Sequence, residues 1–374
     1  MATKSDTSGP SQKPKRFRVI AGVFAALLVV ALAFGFAFQR QIGMAFLTRG
    51  IDAAVGVDRT SALEDGIHVF ICGSGSPMPD PTRAGPCLGV VAGEEVFVVD
   101  VGSGGARRLA RMGFPIGRLE RVYLTHLHSD HFDGLGELLL QAWVGGPRTA
   151  PLPVAGPPGV EDVVAGLNLA YRVDAGFRTA HHGEAVADPA GFGAIAEIIA
   201  PLAADTPGRV LLDQDGLRIT LLAAAHAPAE PAYGFRIDYR GRSVVISGDT
   251  AQSAALAQAA QGADVLFHDA LNAELVQRMQ ASAQARGQRH IAAIFHDIQD
   301  YHATPEQAAE TATAAGVDHL VLYHIVPPIP ARSLNAAFLG DAPQRFGGPI
   351  TVAEDGMLVS VPAAGGDVRI RTIR

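Results

Sequence analysis

An α/β body behind a single transmembrane helix is the fold class this sequence predicts. Three observations point to it. From about Ile67 onward, apolar runs rich in strand formers alternate with helical patterns. Ahead of them lies a 20-residue stretch without a charge, Val19–Phe38. Of the 374 residues, 48% are hydrophobic and 18% charged, the balance of a folded chain with a sizeable core rather than a disordered one.

Residues 1–18 are polar and basic. All three lysines (Lys4, Lys13, Lys15) lie there with Arg16 and Arg18, opposed only by Asp6. Removing those five bases and one acid from the chain's 30 and 37 leaves 25 basic and 36 acidic residues, a body at −11 against −7 overall. An acidic body is a poor partner for a phosphate backbone, so no nucleic acid is expected. At 1.5 Å per residue, the Val19–Phe38 run crosses a hydrocarbon core of roughly 30 Å. The basic flank puts its N-terminal end in the cytoplasm. The expectation is a single-pass inner-membrane protein with its body on the periplasmic or extracytoplasmic side. Ala31-Leu32-Ala33 also reads as a cleavage site, so a removed signal peptide is the alternative. The expected order is a basic tail 1–18, an anchor 19–38, a partly helical connector 39–66, a catalytic domain 67–362 and a tail 363–374.

The chemistry is concentrated in Thr125-His126-Leu127-His128-Ser129-Asp130-His131, directly after the apolar Val122-Tyr123-Leu124. In an extended segment, side chains repeat every second residue, so His126 and His128 face one way and can share an ion. Asp130 and His131 follow where the chain turns and can face a second ion. Imidazole and carboxylate both suit zinc. A polar cluster at a strand end is the bland alternative. It does not explain four ligand-type residues in six positions.

This stretch resembles the metal loop of the metallo-β-lactamase superfamily, and the rest of the chain follows the same order. Ile67–Cys72 reads as a strand, with two more at Cys87–Val91 and Glu95–Val99. Asp100-Val101-Gly102-Ser103-Gly104 is the turn that packs beside the metal loop in that family. Cys72 and Cys87 would sit in neighbouring strands. Two buried thiols are expected, with a disulfide permitted by export. Helices are expected to about Trp143, near Val160–Tyr171, over Ala251–Ala260 and from Pro305 to Ala315, the last capped by Thr304. Between residues 144 and 190, three arginines face five acids, unlike the basic arm with which ribonuclease Z-like proteins grip transfer RNA. His181-His182 in this stretch reads as a solvated pair. Strands are read at Leu217–Leu222, Ala263–Phe267 and His319–Tyr323, and a closing hairpin after Thr351.

The resemblance implies a four-layer αββα sandwich with two Zn2+ at one edge, Mn2+ or Fe2+ being alternatives. His126, His128 and His226 would hold the first ion; Asp130, His131 and His324 the second; Asp249, in Gly-Asp-Thr, would bridge them. Two such ions lie about 3.5 Å apart and supply an attacking hydroxide at neutral pH. Asp130 would also orient that nucleophile. His302, supported by Asp269 where the family usually has Glu, would act on the leaving oxygen. The bridging Asp249 favours the phosphodiesterase, thioesterase and lactonase branches over true β-lactamases. The expected function is hydrolysis of a small-molecule phosphodiester or sulfate ester, arylsulfatase-like. A lactonase or carboxylic-ester hydrolase is the alternative. Transfer-RNA 3′ processing and a non-catalytic metal-binding envelope protein rank below both. Oligomeric state is open, a homodimer being compatible with the sequence.

Overall fold

The computed structural model describes residues 13–55, 60–203 and 206–373. Residues 1–12, most of the expected basic tail, lie outside them. The chain divides into two units, Met1–Asp58 and Arg59–Arg374. The first unit carries helices α1 (Lys13–Ala37) and α2 (Gln39–Ala54). The window Val19–Ala37 has mean hydropathy 2.7 and none of it is buried, so this helix is long and apolar enough to cross a membrane, as a signal sequence would also be. The expected partly helical connector is one continuous helix for most of its length.

Among the described residues, all the strands lie in the second unit. β1 (Gly66–Gly73), β2 (Cys87–Ala92), β3 (Glu95–Val101), β4 (Arg121–Tyr123), β5 (Leu152–Gly156) and β6 (Ala194–Ile198) come first. β7 (Arg209–Gln214), β8 (Leu217–Ala224), β9 (Ala232–Tyr239), β10 (Arg242–Ile246), β11 (Val265–Leu271), β12 (His319–Val326) and β13 (Ile350–Val352) build a second sheet. β14 (Met357–Pro362) and β15 (Arg369–Thr372) then return to the first. The sheet orders are β15-β14-β1-β2-β3-β4-β5-β6 and β13-β12-β11-β10-β9-β8-β7.

The period of two along each strand divides the core into layers. Ile67, Val69 and Ile71 of β1 join Phe235, Ile237, Phe267 and Val321 of the second sheet in the central layer. The alternate residues Phe70 and Cys72 pack instead with Leu109, Leu135 and Leu138. Those belong to α3 (Gly105–Met112) and α4 (Leu135–Gly145), which cover the outer face with α5 (Val160–His182). In α4, Leu135, Leu138, Leu139 and Ala142 form the i, i+3, i+4, i+7 stripe of a helix lying on a sheet. On the other side, α6 (Ala254–Ala259), α7 (Ala273–Ala285), α8 (Arg289–Asp297) and α9 (Pro305–Ala315) follow. α9 presents Ala308, Ala309, Ala312 and Ala315 to β11 and β12, small side chains that let it lie close. This is the αββα sandwich. Strands buried on both faces read as unbroken apolar runs, which is why their alternation is weak in the sequence.

Several expectations are corrected. Cys72 and Cys87 are not free thiols but a disulfide, with Cα atoms 5.0 Å apart across the β1–β2 ladder. The regular register through Ile71–Leu88 leads to Cys72 opposite Cys87; the shift that follows pairs Cys87 with Gly73 and leaves Cys72 in the irregularity beside it, still close enough to bridge. The strands after Thr351 are not one hairpin: β13 extends the second sheet while β14 crosses to the first. The hairpin is β14–β15, so the expected tail contains a paired strand. α5 runs eleven residues beyond Tyr171, to His182; it carries Gly176 within it and stops only at Gly183, whose φ of 78° leaves the helical region. His181 and His182 end it, exposed.

His68 of β1 is enclosed, its Nε2 2.7 Å from the Glu64 carbonyl oxygen and its Nδ1 3.0 Å from Ser360 Oγ. Burial, then the nearby Arg371, lower its pKa to about 4. The unfolded chain therefore binds a proton near pH 6.5 that the folded chain refuses until about 4, so stability falls as pH drops through that window. A shift of this size corresponds to about 3 kcal/mol. Replacing His68 with Gln should flatten this part of the acid limb, read as the difference in urea midpoint between pH 7 and pH 4.5.

Candidate metal centre

The centre lies where the C-terminal ends of β4, β8, β10 and β12 converge. The chain leaves β4 extended, and His128 keeps that conformation (φ −69°, ψ 142°) before residues 129–131 turn as a short 3₁₀ helix. His126 and His128 therefore face the same way, Nε2 to Nδ1 3.0 Å apart. His226, just after β8, brings its Nε2 to 3.2 Å from His128 Nδ1, while its Nδ1 donates to the Tyr301 carbonyl at 3.0 Å. The second group forms around Asp249, just after β10. Its Oδ2 lies 3.2 Å from His131 Nε2, 3.1 Å from His324 Nε2 and 3.9 Å from His126 Nε2. Asp130 Oδ2 stands 3.3 Å from His324 Nε2. The seven expected side chains are thus brought together in three overlapping triads, His126/His128/His226, His126/His131/Asp249 and Asp130/His131/His324.

Backbone irregularity aims two of the groups. His324 sits within β12, yet the ladder pairs Tyr323 with Asp269 and Ile325 with Ala270, leaving His324 bulged out at φ 48°. Asp100 is bulged from β3 in the same way at φ 55°, between paired Val99 and Val101. Bulges re-aim side chains, and a non-glycine residue at positive φ is held there by its surroundings. Asp100 accepts from Thr125 N and Thr125 Oγ1, both at 2.8 Å, and from His131 Nδ1 at 2.9 Å. One carboxylate therefore fixes the loop and turns His131 Nε2 toward Asp249. Gly102 explains the Asp-x-Gly pattern: a Cβ there would stand 2.2 Å from the Asp130 carbonyl oxygen. Gly248, at φ +65°, likewise has no room, with the Tyr233 carbonyl 2.3 Å from a Cβ.

The electrostatics divide the histidines. Burial, and for His126 also the neighbouring His131, lowers His126, His128 and His226, so they are neutral donors. For His131, burial works downward, but Asp249 and Asp100 outweigh it and hold the ring well above its ordinary value. Burial would raise Asp249; His324 and His131 instead hold it well below the carboxylate range. Asp130 and Asp249, buried among these imidazoles, draw positive charge toward them, which is why His131 and His324 are held above the usual imidazole range.

The donor set fits metal ions. Donors at roughly 2.0–2.2 Å from one ion stand about 3–3.5 Å apart, the spacing seen here. Ligand atoms in each group lie within 4.8 Å of one another. Asp249 Oδ1 is buried without any protein partner, a free lone pair on the shared carboxylate.

His302 stands beside this wall. Its Nδ1 donates to Asp269 Oδ2 at 2.9 Å, so the shorter Asp reaches the ring, and Nε2 is left facing the site. Burial pushes Asp269 up, but hydrogen bonds from His268 and His302 hold it below its usual value. His302 also comes close enough to His226 and Asp249 to form a fourth ligand group, which its sequence context did not suggest. Sequence reading assigned no role to the Asp100 carboxylate, although its turn was placed beside the loop. It missed Tyr301, whose ring lies 4.7 Å from that of His226, and nothing in the sequence marks it.

Fold and site together define a metallo-β-lactamase-fold hydrolase. Residues 98–325 match the beta-lactamase superfamily domain, and the chain belongs to that superfamily as a metal-dependent hydrolase. Within it, the chain is similar to the ribonuclease Z of Mycobacterium avium (strain 104), 40% identical over 299 residues, 79% of this chain and 99% of that one. The ribonuclease Z of Mycobacterium bovis (strain BCG / Pasteur 1173P2) is 39% identical over 294 residues, 77% of this chain and 96% of that one. Among solved structures, the metallo-beta-lactamase fold protein YhfI from Bacillus subtilis superposes with TM-score 0.56 at 21% identity, covering 79% of this chain and all of that one (100%). The short form of human tRNase Z gives 0.54 at 23%, covering 79% and 99%. Proteins of this fold bind metal ions, typically zinc.

These relatives correct two expectations. A small-molecule phosphodiester, sulfate ester or lactone was ranked above RNA, and nucleic acid was excluded; relatives at this identity are named for a ribonuclease. The exclusion rested on export, on the acidic body and on the acidic stretch over 144–190, and the two charge counts average over surface away from the centre. At a metal centre the positive charge facing a phosphodiester comes from ions, which the residue count omits.

Asp249→Ala should cost the chain most of its bound zinc. Asp100→Ala, which frees His131 to rotate, should weaken it by about 10–100-fold. Chelator competition followed by elemental analysis checks both; retention at the wild-type level would remove the residue concerned from the site.

Proposed function

We propose that the chain is an endoribonuclease of the ribonuclease Z type, hydrolysing an RNA phosphodiester at this centre. The observation that carries the reading is 40% identity sustained over 99% of the length of a relative so named. His126, His128 and His226 would hold one ion, Asp130, His131 and His324 the other, with Asp249 shared; zinc suits the donors, and Mn2+ or Fe2+ are alternatives. When bound, the ions supply Lewis acidity toward the phosphoryl oxygens and lower the pKa of water.

The chain's own groups do the rest. Asp130, at the rim of the pair, orients the nucleophile and accepts its proton. His302 holds a proton on Nε2 while Asp269 fixes Nδ1. As the bond from phosphorus to the departing nucleoside oxygen breaks, that oxygen takes the His302 proton. His268 Nδ1 donates to the Asp269 main-chain carbonyl at 2.9 Å and lies 3.0 Å from Oδ1, so the carboxylate has an imidazole on its far side as well.

The attachment is also part of the proposal: a basic cytoplasmic tail over 1–18, a membrane helix over 19–38, a helical connector, and a catalytic unit from Arg59 on. The basic flank supports a body on the extracytoplasmic side, where its RNA would be met.

The test is zinc-loaded full-length protein in detergent with a 3′-extended transfer-RNA precursor and an unstructured RNA. Endonucleolytic cleavage is the expected result, and no cut in either RNA would overturn the reading. His302→Ala should keep both metals and lose about 10²–10⁴-fold in rate. A wild-type rate would show that His302 carries no proton to the leaving group.

A further inference from the structure

The histidine–aspartate wall is one side of a cavity of about 1260 Å³. The other sides are apolar. Leu275 and Met279 come from α7, Ile291 and Ile294 from α8, Ile298 from the residue that caps α8, and Ile329 and Phe338 from the segment after β12. Prolines 327, 328 and 330 stiffen that segment. Two of these walls are helices that turn aliphatic side chains toward the cavity as well as toward the core. Ile294 is 52% exposed, a large apolar side chain left partly in water beside a polar centre. Among the described residues, Arg278 is the one cation lining the space apart from the histidines.

The chemistry of this lining selects its occupant. Nucleobases carry donors and acceptors around their edges, and carbon walls would leave these unmatched. A pocket meant for them needs convergent polar groups. Besides the histidines and aspartates of the metal wall, the polar side chains here are Ser76, Ser129, Arg278, Ser282 and Tyr301, few for a space of this size and with Ser129 and Tyr301 beside that wall. An aliphatic chain has no such requirement and gains from every methylene it brings out of water. Its polar end is then left at the one wall able to take an anion, where the donor set accepts cations.

We propose that this chamber binds the aliphatic chain of an anionic amphiphile, with its head group at the histidine–aspartate wall. Occupancy covers His302 and Asp249, both of which line the same cavity. Such a ligand therefore competes with any phosphodiester for the centre. The proposal goes beyond the RNA reading and stands on the shape and composition of the chamber.

The test is direct binding of n-alkylphosphonates, whose carbon–phosphorus bond resists hydrolysis. The full chain is zinc-loaded and held in phosphatidylcholine nanodiscs. Equilibrium dialysis is run against empty discs as the blank, with chains from methyl to decyl. Affinity should rise about fourfold per added methylene until the chamber is full. Two variants at solvent-exposed wall positions locate the effect. Ala337→Trp fills the chamber and should end the rise several methylenes earlier. Ile294→Glu should weaken the octyl and decyl members at least tenfold. Unchanged unfolding midpoints for both variants show that the fold is intact. Blank-corrected affinity that does not depend on chain length overturns the proposal. So does an unchanged rise in both folded variants. Because binding is read without RNA, failure here leaves the ribonuclease reading untouched, and failure to cut RNA leaves this one untouched.

Discussion

A buried carboxylate surrounded by imidazoles is the constraint on which this structure depends. Asp249 is almost fully enclosed, with three histidine nitrogens within 4 Å of one oxygen and no protein partner for the other. Burying an anion is costly unless positive charge meets it. Much of the second unit is arranged to satisfy that demand. β10 ends at Asp249 through a glycine that nothing larger could replace. β12 bulges to present His324, and β3 bulges to present Asp100, which in turn sets His131. The sandwich supplies the convergence; the irregularities supply the aim.

What the sequence made legible was the chemistry-dense part. A loop with His126, His128, Asp130 and His131 after an apolar strand has little other use, and a lone His226 gains meaning from Gly-Asp-Thr downstream. The αββα layering was legible through the order of motifs. Strand periodicity alone was too weak, because β1, β2 and β11 are buried on both faces. The features that escaped arise from register. A bulge changes which residue faces the site without changing composition, so the Asp100 carboxylate looked like part of a turn. The Cys72–Cys87 disulfide closes where the β1–β2 ladder becomes irregular, which composition does not show. The apolar chamber escaped because its walls come from α7, α8 and the segment after β12, each of which reads separately as ordinary amphipathic chain.

The substrate shows a different limit. An acidic body and an acidic stretch over 144–190 argued against RNA. Both are averages over surface that need not touch the substrate, whereas catalysis on a phosphodiester is decided within a few Å of the scissile bond. Kinship to proteins named ribonuclease Z weighs against that average. α5, which occupies much of the stretch, packs on β5 and β6 as part of the sandwich, and a charge count over it describes a structural helix.

The central claim is that these seven side chains form one two-ion centre. Anomalous diffraction from zinc-loaded crystals at the zinc edge tests it most directly. The account predicts two peaks, one among His126, His128 and His226, the other among Asp130, His131 and His324, with Asp249 between them. A single peak, or peaks away from Asp249, would contradict it.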